Sequence, residues 1–346
     1  MLVNESEWQS STVEAWDEEK DPIVVIAVKQ NFEYDVKGNV YPDPTGAPVV
    51  LADDFDGEGL EASLTAVSEV QPYKTGFEVY GELTCFPPTD KQARVIEVGL
   101  KLGCDDRVFV DKLLRVTGER VWKRSLFGPV ASDPQVLSSC VLNYQLAYGG
   151  TSPSDEEQVS TQNPLGRGYN LKNKEAKGQP LPQVEYANQV LKKPSHDTAV
   201  ASFAAIPPFW SPRVDKLPEV DEAQALAGKF PFKEAVPAAH YQVAPQDQQT
   251  QNPFSDGWWI DMMGLTPDLP YGQSLKLTLP RIVPRCRLVN GPDAAPIDMQ
   301  CDTLVIDSQT QQFSLIWRGK VKKSQTGSNS VFLVEEAQTQ GVAHAV

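Results

Sequence analysis

Side chains able to carry chemistry are few in kind and scattered in position. The chain has only 3 histidines, so imidazole chemistry has few carriers. His196 stands beside Asp197, and His240 precedes Asp247, but no nucleophile is marked as a partner for either. Both read as surface or packed histidines. His344 lies in the C-terminal stretch. There is no Gly-x-Ser-x-Gly elbow and no plausibly placed Ser-x-x-Lys pair. Metal chemistry lacks a carrier as well: no His-Glu-x-x-His and no Cys/His cluster occurs. Asp54-Phe-Asp56-Gly57 has the look of a calcium loop, yet that frame requires acids where Ala52 and Ser63 stand, so it reads as a solvated turn. Gly166-Arg-Gly168 is not a dinucleotide fingerprint, and no phosphate-binding loop is present. Paired carboxylates for glycoside hydrolysis meet only in space, and among 46 acids no pair stands out. The expectation is a chain with no catalytic residue, no metal site and no cofactor.

What stands out instead is Asn163 to Arg213, which holds Asn163-Pro-Leu-Gly-Arg-Gly-Tyr169, Leu181-Pro-Gln-Val-Glu185 and Phe209-Trp-Ser-Pro-Arg213. Each sets turn formers beside a charge and an apolar or aromatic anchor. Proline fixes φ and glycine admits positive φ, so Asn163, Gly166 and Gly168 dictate a particular backbone path. The stretch is too rich in Leu, Val, Phe and Trp for a disordered linker and predicts a long ordered loop against a scaffold. Arg167, between two glycines, suits a bidentate pair with a carboxylate, for which Glu185 is a candidate. Arg213, after Trp210, is a second anchor and could stack on an aromatic ring. These arginines, Trp210 and Gln248 read as architecture first and as recognition residues second.

The elements that must position them are strands. The chain has 346 residues, enough for two domains or one large one at roughly 100–200 residues per domain. With 28 prolines and 23 glycines, punctuation is too frequent for long helices. Pro22 to Val28 is a β-branched run that predicts a buried strand; Phe32 and Tyr34 continue in alternation, and Gly38-Asn39 signals a hairpin before Val40. Phe77 to Leu83, Val95 to Leu102 and Val141 to Tyr148 read as strands, and Leu114 to Trp122 as a hairpin turning at Thr117-Gly118. One short peripheral helix is expected between Pro218 and Gly228, with acids in its first turn. Trp258 to Ile260, Ser274 to Val283 and the pair Thr303 to Asp307 with Phe313 to Arg318 complete a second β region. The predicted class is mainly β, as β-sandwich or barrel-like sheets in two halves joined by a long ordered loop region, with few short helices. The expected divisions are an acidic flexible arm at 1–21, an N-terminal β-rich half at 22–150, the connecting loop region at 151–215, a C-terminal β-rich half at 216–334 and a flexible tail at 335–346.

Charge and cysteines bound the partners. The formal net charge is −15, which argues against nucleic acid and against anionic membrane, both bound through positive patches. Residues 1–60 hold 14 Asp and Glu against 3 Lys and Arg, so acidity concentrates there, as a solvated face or as a docking surface for a basic partner. The 5 cysteines are widely spaced and odd in number, which fits reduced thiols. No basic n-region followed by an apolar stretch opens the chain, and Ile23 to Val28 is too short to cross a bilayer. A cytoplasmic protein without membrane insertion is expected.

The motifs occur in a series. Val28-Lys-Gln-Asn-Phe32, Pro72-Tyr-Lys-Thr-Gly-Phe-Glu-Val-Tyr-Gly81, Val116-Thr-Gly-Glu-Arg-Val-Trp122 and Tyr148-Gly-Gly150 precede the three signatures above. Ile206-Pro-Pro208 leads into the third of them, and Ala244-Pro-Gln-Asp-Gln-Gln249, Met263-Gly-Leu265 and Leu279-Pro280 follow. Across residues 22–320 this order resembles the domain-of-unknown-function proteins encoded beside type VI secretion effectors, VgrG spike proteins and PAAR-type tip proteins. The chain departs from that pattern before Trp210, where glycines are usual, and at Leu217-Pro-Glu219, where a Gly-Thr-Tyr-like stretch is common. The resemblance implies a non-enzymatic cytoplasmic adaptor or chaperone that binds an effector or its PAAR-like domain and loads it onto the spike. A β-sandwich hydrolase or carbohydrate-active enzyme with an unmarked carboxylate site is the alternative.

Overall fold

The computed structural model describes residues 1–88, 92–270 and 272–335. Strand accounts for 42% and helix for 7% of the protein, so the mainly β expectation holds. The run Ile23 to Val28 is buried on both faces, and a strand buried on both faces has to sit inside a sheet that is covered on each side. It is the start of a 13-residue strand, Pro22–Tyr34, near one end of a seven-stranded sheet. Along that sheet run Gln249–Thr250, Phe77–Glu82, Gln300–Asp307, Gln312–Lys322, Pro22–Tyr34 and Gln9–Trp16, with Val40–Pro42 also paired to Pro22–Tyr34. Phe77–Glu82 and Gln300–Asp307 are parallel, and the other pairs in it are antiparallel. A second, five-stranded antiparallel sheet runs Val184–Tyr186, Arg107–Thr117, Val95–Cys104, Trp258–Met263, Ser274–Thr278.

Period-two alternation sends Ile26, Val28, Leu304, Leu315 and Trp317 of the large sheet, and Val98, Leu100, Ile260 and Met262 of the second, into one apolar core. Strands from residues 22–150 and from 216–334 are direct neighbours in both sheets. The two sequence halves therefore do not make separate sheets. A four-stranded sheet joins Leu2–Asn4, Val331–Glu335, Arg285–Asn290 and Asp293–Ile297.

Several expectations require correction. Residues 1–21 are not a loose arm. Leu2–Asn4 pairs in parallel with Phe332 to Val334, and Gln9–Trp16 pairs with Pro22 to Lys29. Trp8 is buried, with its ring 5.5 Å from that of Phe32. The acidity that suggested a tail is met across the sheet by Lys320, Lys322 and Lys323, which pair with Glu18, with Glu19 and Asp21, and with Glu14. Thr117-Gly118 does not turn a hairpin. The strand Arg107–Thr117 turns back on Val95–Cys104 at Asp105, whose φ is 50°, while Trp122–Ser125 pairs with Gly128–Ala131. Val141 to Tyr148 is not one strand: Cys140–Val141 is followed by a 3-10 turn, Tyr144–Leu146, and then by Tyr148–Gly149. Its apolar alternation reflects irregular backbone laid on the core. The short helix is present at Glu222–Leu226, capped by Asp221, with Gly228 at φ 67° beyond it. Of the expected tail, Glu335 ends a strand and 336–346 lie outside the described residues.

Candidate binding site

The signatures in 151–215 build a brace against the sheets. Asn163 is fully buried and donates Nδ2 hydrogen bonds to the carbonyls of Tyr144 at 2.8 Å and Tyr148 at 2.9 Å, while its own carbonyl accepts from Gly150 N–H at 2.7 Å. Gly166 packs so closely on Gly149 that an added Cβ would lie 2.7 Å from its Cα. That fit lets Tyr148–Gly149 pair in parallel with Arg167–Gly168. Gly168, at φ 92°, uses the freedom expected of it.

The predicted Arg167–Glu185 pair does not form. Arg167 is half-buried and donates from Nη1 to Gln183 Oε1 at 3.2 Å. Glu185 is buried and accepts from Arg120 Nη2 at 2.6 Å and from Leu191 N–H at 2.7 Å, with Arg115 Nη1 3.6 Å away. Strand register decides this: Arg115 stands directly opposite Glu185 when Arg107–Thr117 pairs with Val184–Tyr186. Arg213 is also buried, and main-chain carbonyls hold it. Its Nε donates to His240 O at 3.1 Å and its Nη1 to Ile206 O at 2.6 Å. Trp210 is buried, donates Nε1–H to Leu60 O at 2.8 Å, and packs edge-on to Tyr144 at 5.2 Å. Gln248 is fully buried. It donates to Val79 O and Phe203 O and accepts from Lys112 Nζ at 2.7 Å.

Sequence reasoning missed the buried cations. Lys112 Nζ donates to Ser202 O at 2.6 Å, Asp247 Oδ1 at 2.8 Å and Gln248, so Ala244 to Gln249 is in part a cage for this ammonium. Burial lowers its pKa to about 8. Parity was the available signal: Lys112 stands in alternation with Val110, Leu114 and Val116, all core-facing. On the other face of the large sheet, Lys29 pairs with Glu69 at 2.8 Å, Lys74 with Glu78, and Arg318 with Asp302 and the carbonyl of Glu69. Burial lowers the pKa of Lys74 to about 8. His240 is packed, as expected, and burial depresses its pKa. Asp17, Glu19 and Asp21 come close enough to hold an ion, but Lys322 Nζ already binds Glu19 and Asp21 at 3.1 and 2.9 Å.

The brace leaves a groove of about 540 Å³ over that outer face. Its apolar walls include Leu64, Val67, Tyr80, Tyr144, Ala205 and Trp210. Asp43, Glu82 and Asp307 add carboxylates, and Glu82 stands opposite Asp307 in strand register. Among the described residues none of these three has a cation within 4 Å. Lys29, the one cation that lines the groove among the described residues, is held by Glu69. The arrangement suits an apolar segment that carries positive charge.

Fold and groove together define a mainly β protein in which two sheets share a core and an ordered, turn-rich segment braces one outer face. The chain belongs to the family described as an uncharacterized protein conserved in bacteria (DUF2169), whose model matches residues 19–318. No curated protein and no solved structure matches the chain. Among the described residues, no helix is long and apolar enough to cross a membrane.

Proposed function

We propose that this chain is a cytoplasmic adaptor that binds a type VI secretion effector or its PAAR-like domain and loads it onto the VgrG spike without catalysis. The observation that carries the reading is the groove, whose apolar walls meet Asp43, Glu82 and Asp307, none of which has a cation within 4 Å among the described residues. An unmounted effector exposes an apolar docking region that risks aggregation, and such a groove can cover it. Its charge favours a cationic segment and speeds the encounter. The ordered motif series supports the secretion context. Arg213 and Asn163 hold the backbone that shapes the groove, and Trp210 is part of its wall.

Co-expression with the effector encoded beside this gene tests the reading. Wild-type protein is expected to raise the effector's solubility and to co-purify with it, and Val67→Glu, at a half-buried position in the groove wall, to weaken both. Effector solubility, capture and secretion all indifferent to deletion of the gene would sink the adaptor.

One observation favours the hydrolase reading, namely the neighbouring carboxylates Glu82 and Asp307 beside aromatic walls. Turnover of a chromogenic glycoside, lost in Glu82→Gln, would move the assignment to that class.

A further inference from the structure

Three of the motifs converge on a structure that the groove does not use. Trp122–Ser125 and Gly128–Ala131 form a two-stranded ribbon that pairs with no other strand among the described residues. Its base is pinned by an apolar cluster of Trp122, Tyr148, Leu171, Ala176, Leu181 and Leu191. Trp122 N–H donates to Gln179 O at 3.0 Å, Gly178 N–H to Trp122 O at 2.9 Å, and Leu181 N–H to Arg120 O at 3.0 Å. Arg120 is in turn held by Glu185 and by Pro182 O at 2.7 Å. Thus Val116 to Trp122, Leu181 to Glu185 and Tyr148 all serve one socket.

The socket presents a bare tip. Leu126 and Phe127 are 98% and 100% exposed, the two most exposed large apolar side chains among the described residues. Ser125 Oγ closes the turn, donating to Gly128 O at 2.7 Å and accepting from Phe127 N–H at 3.3 Å. Behind the tip stand Lys123 and Arg124, both exposed, with no carboxylate within 4 Å among the described residues. In a chain of net charge −15 this is a local basic and apolar finger. A firmly anchored ribbon loses little freedom when its tip is buried, which is what preorganised binding elements achieve.

We propose that this finger is a second docking element, which inserts Leu126 and Phe127 into an apolar pocket on the protein cargo while Lys123 and Arg124 meet carboxylates at that pocket's rim. The proposal rests on the adaptor reading for the identity of the cargo. Charge selects the occupant. An anionic bilayer or nucleic acid would repel the −15 body that carries the finger, whereas a protein pocket needs only local complementarity.

Interferometry of the full-length chain on the immobilised effector from the neighbouring gene tests it. Leu126→Ser with Phe127→Ser is expected to weaken binding about tenfold or more, as truncation of a buried anchor does. Lys123→Glu with Arg124→Glu is expected to slow association and to reduce its salt dependence between about 0.05 and about 0.3 M. The melting temperature should stay unchanged in both variants. Wild-type binding that neither variant alters would overturn the finger and leave the adaptor standing. No wild-type binding would remove both. Sedimentation with phosphatidylserine vesicles, or concentration-dependent self-association, abolished by the serine variant while effector binding persists would replace the cargo with a membrane or a second copy, and so overturn the proposal.

Discussion

At the scale of single residues, the ionic contacts rank by burial. Glu185 is enclosed with Arg120, so removing one partner strands a charge in a poorly solvated place. Arg120→Met or Glu185→Gln is expected to cost about 3–5 kcal/mol, read as a clear fall in melting temperature. Arg167 makes one hydrogen bond to a neutral amide from a half-buried position, so Arg167→Ala should cost about 1 kcal/mol. If the two losses prove equal, the brace is not held as the hydrogen bonds indicate. Cargo capture at low temperature, where the variants stay folded, reports separately on any recognition role of these arginines.

At the scale of elements, the N-terminal strand and the Asn163 brace behave differently. Gln9–Trp16 covers one side of Pro22–Tyr34 and is itself an edge. Deleting residues 1–16 bares eight paired positions of a long apolar strand, from Pro22 to Lys29. An unprotected edge of this kind templates association. The truncated chain is therefore expected to aggregate on light scattering before its core melts, and a monodisperse, equally stable product would contradict that. In the brace, Gly166→Ala places a methyl group against Gly149 and Asn163. Overpacking of this sort costs about 1–3 kcal/mol, and proteolysis should detect it first as cleavage within 151–191.

At the scale of the molecule, buried titratable groups set a stability profile. Lys112 and Lys74 lose their protons near pH 8 in the folded state and near 10.5 when unfolded. Across that window the unfolded chain binds more protons, so stability rises with pH. Tyr80, Tyr144 and Tyr186 are pushed above their ordinary value of 10, chiefly by burial. Above pH 10 the folded chain holds protons that the unfolded chain has released, so stability falls. Urea midpoints should therefore climb from pH 8 towards 10 and then drop. Lys112→Met is expected to flatten the climb and to lower the midpoint at pH 7, because Asp247, Gln248 and Ser202 O lose their donor. A flat profile in the wild type would show that these lysines keep their protons when buried.

Much of this was legible in the amino-acid sequence, because it depends on local pattern. The β-branched run of Pro22 to Val28, the alternation of Phe313, Leu315 and Trp317, the hairpin at Gly38 and the short helix with its stop at Gly228 follow from side-chain periodicity and backbone freedom, which neighbours in the chain determine. The sequence likewise marked Asn163 to Arg213 as ordered, since its glycines, prolines and apolar anchors have local meaning. Tertiary structure alone decided which charge meets which. Glu185 pairs with Arg120 because strand register brings Arg115 and the Arg120 turn to it, and Arg167 is left to Gln183. It also decided that Leu2–Asn4 and Gln9–Trp16 are strands, because they pair with Phe332 to Val334 and with Pro22 to Lys29, while the acids of this segment meet lysines 301 to 309 residues away in the chain. Ion pairs, grooves and bare tips arise from contacts distant in sequence, and no local pattern encodes a contact whose partner is set by register.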